Sequence, residues 1–168
     1  MMEYQVSEVE KIIFLSKQNI PWNDVEQYLK QYIGQTFIVR EYQDSISIAS
    51  DFPDEYTESK YTKRLRGALA KVKANAAQII DLLIENAVNR RWVENKNDKH
   101  KNNASEGWFR YDTYFSIPVK GSEEKVERTN QYKATLVVRK TVRGLFLYDV
   151  LDIKKEASTP RESQKTVR

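Results

Sequence analysis

The sequence contains no cysteine and a single histidine, His100. Without thiols it can build no disulfide framework, no zinc ribbon and no thiol nucleophile. One histidine argues against a histidine-based metal site, because even a catalytic zinc takes several His, Cys or carboxylate ligands. Neither a metal nor another cofactor is implied. Glycine is scarce, at 5 of 168 residues, and no Gly-rich phosphate loop or GxGxxG pattern occurs. There is no Ser-His-acid spacing, no glycosidase-like carboxylate pair and no internal repeat. No run of about 18 apolar residues exists. The start, Met1-Met2-Glu3-Tyr4, is acidic where a secretory signal is basic and then apolar. These absences predict a cytoplasmic chain with no membrane segment and, for any chemistry it performs, metal-independent chemistry.

What is present is charge, unevenly spread. Residues 1–58 hold 4 Lys/Arg against 11 Asp/Glu, a balance of −7, whereas the rest of the chain holds 24 against 13, a balance of +11. A basic block rich in Tyr and Trp suggests a polyanionic partner such as nucleic acid. A merely solvated polar surface accounts for the charge alone equally well.

Periodicity divides the chain further. SEVEKIIFLSKQ, with Ser7 and Glu10 spaced as a capping box, predicts a short helix. WNDVEQYLKQYI repeats the helical pattern, with Gly34 placed to stop it. TFIVREY and SISIAS predict a small hairpin. SDFPDEYTES is acidic and turn-rich, and predicts a linker. From Tyr61 to Ala87 apolar residues recur at spacings of three and four, which predicts one long amphipathic helix. Lys60, Lys63, Arg64, Arg66, Lys71 and Lys73 would give its first half a positive solvent face without acidic partners, and so a phosphate-binding surface.

The period then changes to two. NRRWVEN, WFRYDTYFSIPV, NQYKATLVVRK and LFLYDVLDIKK predict four strands of an antiparallel sheet. The expected fold is α+β: one long helix packed across a four-stranded antiparallel sheet, with a small, mostly helical N-terminal module. The expected divisions are that module over residues 1–50, a basic α+β domain over 51–156 and a disordered basic tail over 157–168.

The segments DEYTESKYTKRLRGALAKVKANAAQ, NRRWVENKNDKHKNNASEGWFRYDTYFSIPV and LYDVLDIKKEAS carry a resemblance. Together, over about residues 51–158, they resemble a domain of the large polyvalent proteins of bacterial prophages and conjugative elements. Such domains are associated with nucleases of the barnase, EndoU, colicin and RelE type, whose plan is a helical segment followed by a four-stranded antiparallel sheet. The resemblance implies a mobile-element protein that meets RNA or another nucleic acid, and possible host or immunity proteins.

Metal-independent RNA cleavage needs a base for the 2′-hydroxyl, an acid for the leaving oxygen and cations for the phosphorane. His100 has the only ordinary pKa suited to either proton transfer at neutral pH. Its neighbours Lys99 and Lys101 disfavour a third positive charge, which suits a base. Arg110 and Arg139 are candidates to hold the phosphate, and Tyr111 or Tyr114 to stack on a base or assist proton transfer. Alternation places Trp108, Arg110, Asp112 and Tyr114 on one face of their strand, and Phe109, Tyr111, Thr113 and Phe115 on the other. The second set is the better core. Trp108 then suits either a base-stacking platform or ordinary sheet packing, and His100 suits either catalysis or an exposed loop. Asp149 suits orienting a catalytic cation or a cross-strand salt bridge. A non-catalytic nucleic-acid-binding module, or a protein-interaction module acting in conflict between host and element, is the alternative to a ribonuclease.

Overall fold

A computed structural model describes residues 3–94, 106–121 and 125–160. Its framework is one mixed seven-stranded sheet, curled into a half-barrel. The strands are β1 (Val6–Glu8), β2 (Thr36–Val39), β3 (Asp44–Ser47), β4 (Val88–Glu94), β5 (Gly107–Lys120), β6 (Val126–Thr141) and β7 (Gly144–Pro160). β5, β6 and β7 run antiparallel. β3 adds to β7 in parallel, and β2 to β3 antiparallel. One edge of β5 is shared: β4 pairs antiparallel with its first half, from Glu94↔Gly107 to Val88↔Asp112, and β1 pairs parallel with Tyr114–Ser116.

The helices are short: α1 (Trp22–Leu29), α2 (Phe52–Glu58), α3 (Lys60–Arg64), α4 (Gly67–Ala76) and α5 (Ile80–Glu85). Their apolar residues share one cluster with Tyr111, Phe115, Leu136, Val138 and Val150 of the sheet. α1 and the β2–β3 hairpin lie where the sequence pattern predicts them, and Gly34 follows α1 and its terminal 3-10 turn at φ +88.

The fold expected from the sequence needs correction at its centre. β4–β7 occupy the four alternating segments, but they are four of seven strands in a mixed sheet, and β1, β2 and β3 from the N-terminal part join the same sheet. No single long helix crosses it. The chain from Tyr61 to Ala87 breaks after Arg64, with Leu65 and Arg66 extended and Gly67 at φ +62, and breaks again in a 3-10 turn at Ala77–Ile79. The three-and-four spacing is real, yet α4 is buried nearly all round, at Ala70, Val72, Lys73, Ala74, Asn75 and Ala76. A helix buried on most sides is placed by the groups packed around it rather than by a single apolar stripe along the sheet.

SEVEKIIFLSKQ is not helical either. Val6–Glu8 form β1, Val9 N–H donates to the Ser116 carbonyl, and the Ile13 and Phe14 N–H groups donate to Asn75 Oδ1. Partners elsewhere in the fold satisfy this backbone, so the capping-box signal has nothing left to do. The acidic SDFPDEYTES is no loose linker: it forms α2, with Phe52 and Tyr56 one helical turn apart, both buried, their rings 5.5 Å apart. The last strand continues through Ala157–Pro160 against β6.

Candidate nucleic-acid interface

β5 presents its side chains to two different environments. Tyr111, Thr113, Phe115 and Ile117 are buried towards the helices, while Trp108, Arg110 and Tyr114 keep part of their surface exposed on the other face. Register extends that second face across the sheet. Trp108 lies opposite Arg139, which lies opposite Phe146; Arg110 lies between Arg91 and Val137; Asp112 lies opposite Thr135; and Tyr114 lies opposite Lys133. Aromatic rings and cations from β4–β7 therefore share this face with Asp112, Thr135 and Val137.

The ionic arrangement on this face is unequal. Asp112 is almost fully buried and already surrounded: Arg91 Nη1 is 3.1 Å from Oδ1, Lys133 Nζ 3.7 Å from Oδ2, and Asn89 Nδ2 donates to Oδ2 at 2.8 Å. Arg110 does not share in it. Its Nε is buried and has no hydrogen-bond partner. Arg110 is half-buried beside Arg91, and among the described residues its guanidinium has no carboxylate partner, because Asp112 is taken by Arg91 and Lys133.

The other predicted site residues fall into distinct groups. Trp108 meets Tyr148 edge-on, with centroids 5.0 Å apart. Arg139 is held by a bidentate contact to Asp51, at 2.7 and 3.0 Å, and its guanidinium lies 5.4 Å from the centre of the Phe146 ring. It shares the face with Arg110 but is already paired. Tyr111 lies on the opposite face, fully buried, donating its hydroxyl to Asp44 Oδ2 at 2.7 Å, and burial pushes its pKa well up. It is not placed to meet a base stacked beside Trp108. Lys60, Lys63, Arg64 and Arg66 are exposed on α3 and the break after it, and Tyr61 docks this segment on β7 by accepting from Ile153 N–H. Lys99 and His100 lie outside the described residues, in the segment that joins Glu94 of β4 to Glu106.

Lys73 departs most from expectation. It is 0% exposed, not on a positive solvent face, and its Nζ donates to Asp149 Oδ1 at 2.7 Å and Thr62 Oγ1 at 2.6 Å. The ammonium also lies 4.5 Å from the centre of the Tyr56 ring and 5.1 Å from that of Tyr61. Asp149, 2% exposed, additionally accepts from Val150 N–H. Desolvation lowers the Lys73 pKa and raises that of Asp149, while each charge opposes the other's shift. So Asp149 does make an ion pair, but with a helix rather than across strands. Beside it Tyr148 sits at a bulge where Leu147 and Asp149 pair with consecutive residues of β6, and burial and the nearby Glu55 of α2 push its pKa up.

Sequence reasoning missed Arg91, Lys133 and Asn89 as the groups that occupy Asp112. The alternation of NQYKATLVVRK placed Lys133 on a strand, but only the β5–β6 register brings it opposite Tyr114. Among the described residues no cluster of three or more His, Cys, Asp or Glu is placed to hold a metal ion, and no helix is long and apolar enough to cross a membrane. No family model matches this chain, and neither a curated protein nor a solved structure matches it.

Proposed function

We propose that this chain binds single-stranded nucleic acid, RNA foremost, across the face that carries Trp108, Arg110, Tyr114, Arg91 and Lys133. It would do so within a phage or conjugative element, the setting that its resemblance implies. The observation that carries the reading is Arg110, half-buried beside Arg91 and with no partner for its Nε among the described residues. Non-specific single-strand binders combine a cationic groove with rings on which bases stack, and each stacked base contributes about 1–3 kcal/mol. Here Trp108 and Tyr114 flank Arg110 on one strand, Tyr114 with one ring face covered by Tyr4 at 3.7 Å, and Arg91 and Lys133 together carry one positive charge more than the Asp112 they share can balance.

Cleavage is the second reading, and one observation favours it. The β4–β5 pairing ends at Glu94↔Gly107, next to Trp108, and Lys99 and His100 fall between these two strands in the sequence.

One experiment addresses both. Labelled single-stranded RNA is titrated with protein in EDTA at several salt concentrations, and its integrity is read on a gel. Binding should weaken steeply with salt, and Arg110→Ala should lower affinity about tenfold and reduce the salt slope by about 1. Fragments that appear with the wild type and vanish with His100→Ala would establish cleavage. Salt-insensitive binding, or equal binding by Arg110→Ala, would dismiss the interface.

A further inference from the structure

A second feature lies away from this face. The extended segment after β1, α4, and the distal ends of β5 and β6 enclose a cavity of about 320 Å³. Its walls are largely apolar, from Ile12, Leu15, Val72, Ile117, Val119 and Tyr132. Leu15 is 72% exposed at this lip, an uncommon place to leave a large aliphatic side chain next to an apolar hollow.

The charged groups of the cavity are all of one sign. Lys17 from the extended segment, Lys71 from α4 and Lys120 from β5 line it, and no acidic side chain does so among the described residues. Burial and the nearby Lys17 charge lower the Lys71 pKa, so these two ammonium groups are close enough to repel one another. Asn75 is fully engaged: its Oδ1 takes the Ile13 and Phe14 N–H groups, and its Nδ2 reaches the Phe14 and Lys71 carbonyls. Asn130 is different. Its Oδ1 is buried without a partner, while its Nδ2 only reaches the Tyr132 hydroxyl at 3.5 Å. An apolar hollow lined by three lysines, two of them close enough to feel each other's charge, with an unused amide acceptor on one lining residue, describes a ligand.

We propose that this cavity binds a small hydroxylated aliphatic acid. Its carboxylate sits among Lys17, Lys71 and Lys120, its chain lies on the apolar walls, and its hydroxyl donates to Asn130 Oδ1. Size bounds the ligand: at roughly 30 Å³ for each water-sized group the cavity takes about ten such groups, so the last carbons of a ten-carbon acid would lie at its open lip beside Leu15. A nucleotide would also present many polar atoms to walls that offer one free acceptor. Ammonium groups suit a single anionic head, whereas a planar guanidinium fork would favour a more elaborate one. Lys71, expected from the sequence to hold nucleic-acid phosphate, is thereby assigned to a different anion at a different place. This site is independent of the sheet face that carries Arg110.

The test uses the whole chain and isothermal titration, below the micelle concentration of each probe, with β-hydroxydecanoate, decanoate and decanol. The expected order is β-hydroxydecanoate tightest, decanoate weaker, and decanol weaker than decanoate by about tenfold or more. Lys17→Gln combined with Lys71→Gln should remove the advantage of decanoate over decanol. Asn130→Ala should remove the advantage of the hydroxy acid over decanoate. The charge arm needs no mutation, because the comparison of decanoate with decanol is made on the wild type. Equal binding of acid and alcohol, or no saturable binding of either acid, overturns the proposal. Unchanged preference of the hydroxy acid in Asn130→Ala overturns the assignment of its hydroxyl.

Discussion

Replacing Lys73 with methionine separates a buried structural cation from a surface one. The ammonium is wholly enclosed and makes two short hydrogen bonds, to Asp149 and Thr62, beneath the rings of Tyr56 and Tyr61. Lys73→Met keeps the volume and the apolar stem but strands the carboxylate. Removing one partner of a buried ion pair costs about 3–5 kcal/mol, because the other charge stays desolvated. For a chain of this size that corresponds to a fall of roughly 6–20 °C in Tm. The loss should depend on pH with a definite sign. Burial raises the Asp149 pKa, and in the native protein the Lys73 charge and hydrogen bond pull it back down. Without Lys73 only the raising influence remains large. A carboxyl whose folded pKa is raised above its unfolded value contributes stability below the unfolded pKa, and loses it as pH rises through the folded one. The deficit of Lys73→Met should therefore be greatest at about pH 8 and shrink towards about pH 5, in urea unfolding followed by circular dichroism. Lys73→Met with Asp149→Leu should recover about 1 kcal/mol or more over the single variant. A deficit below about 1 kcal/mol at neutral pH, or one that grows towards acid, would refute the buried pair.

Asn75→Ala should cost about 1–3 kcal/mol for each buried backbone group left unpaired, and should speed amide exchange at Ile13 and Phe14, whose N–H groups it now satisfies. Gly67→Ala should cost about 1–2 kcal/mol by chemical denaturation, entirely through its φ of +62, because nothing lies within 4 Å of the added methyl group. Burial raises the pKa of Tyr56 and Tyr111, so their contribution holds below the unfolded value of about 10 and is lost as pH rises beyond it. In an alkaline titration, tyrosinate absorbance for these two should appear together with unfolding rather than before it.

Part of this molecule is legible residue by residue. Alternation in WFRYDTYFSIPV separates Tyr111 and Phe115, which are buried, from Trp108, Arg110 and Tyr114, which are not, because a strand's side chains must alternate whatever else surrounds it. The TFIVREY and SISIAS runs mark their own hairpin for the same local reason. The candidate interface was half visible: Trp108 and Arg110 share a face by counting, but their cross-strand neighbours Arg139 and Arg91 follow from a register that residues far apart in the chain decide.

The sequence by itself determined the long strands, the α1 helix and the two faces of β5, each set by spacing within a few residues. Only the tertiary structure decided the rest. It drew Val6–Glu8 out of a helical pattern to pair with β5, broke the Tyr61–Ala87 stretch at Arg66–Gly67, and turned an acidic stretch into the buried α2. It also converted Lys73 from an apparent surface cation into the buried partner of Asp149, 76 residues away. Charge in a sequence has a sign but no depth. Depth comes from whether a distant carboxylate can follow the cation out of water, and that is settled only when the whole chain has packed.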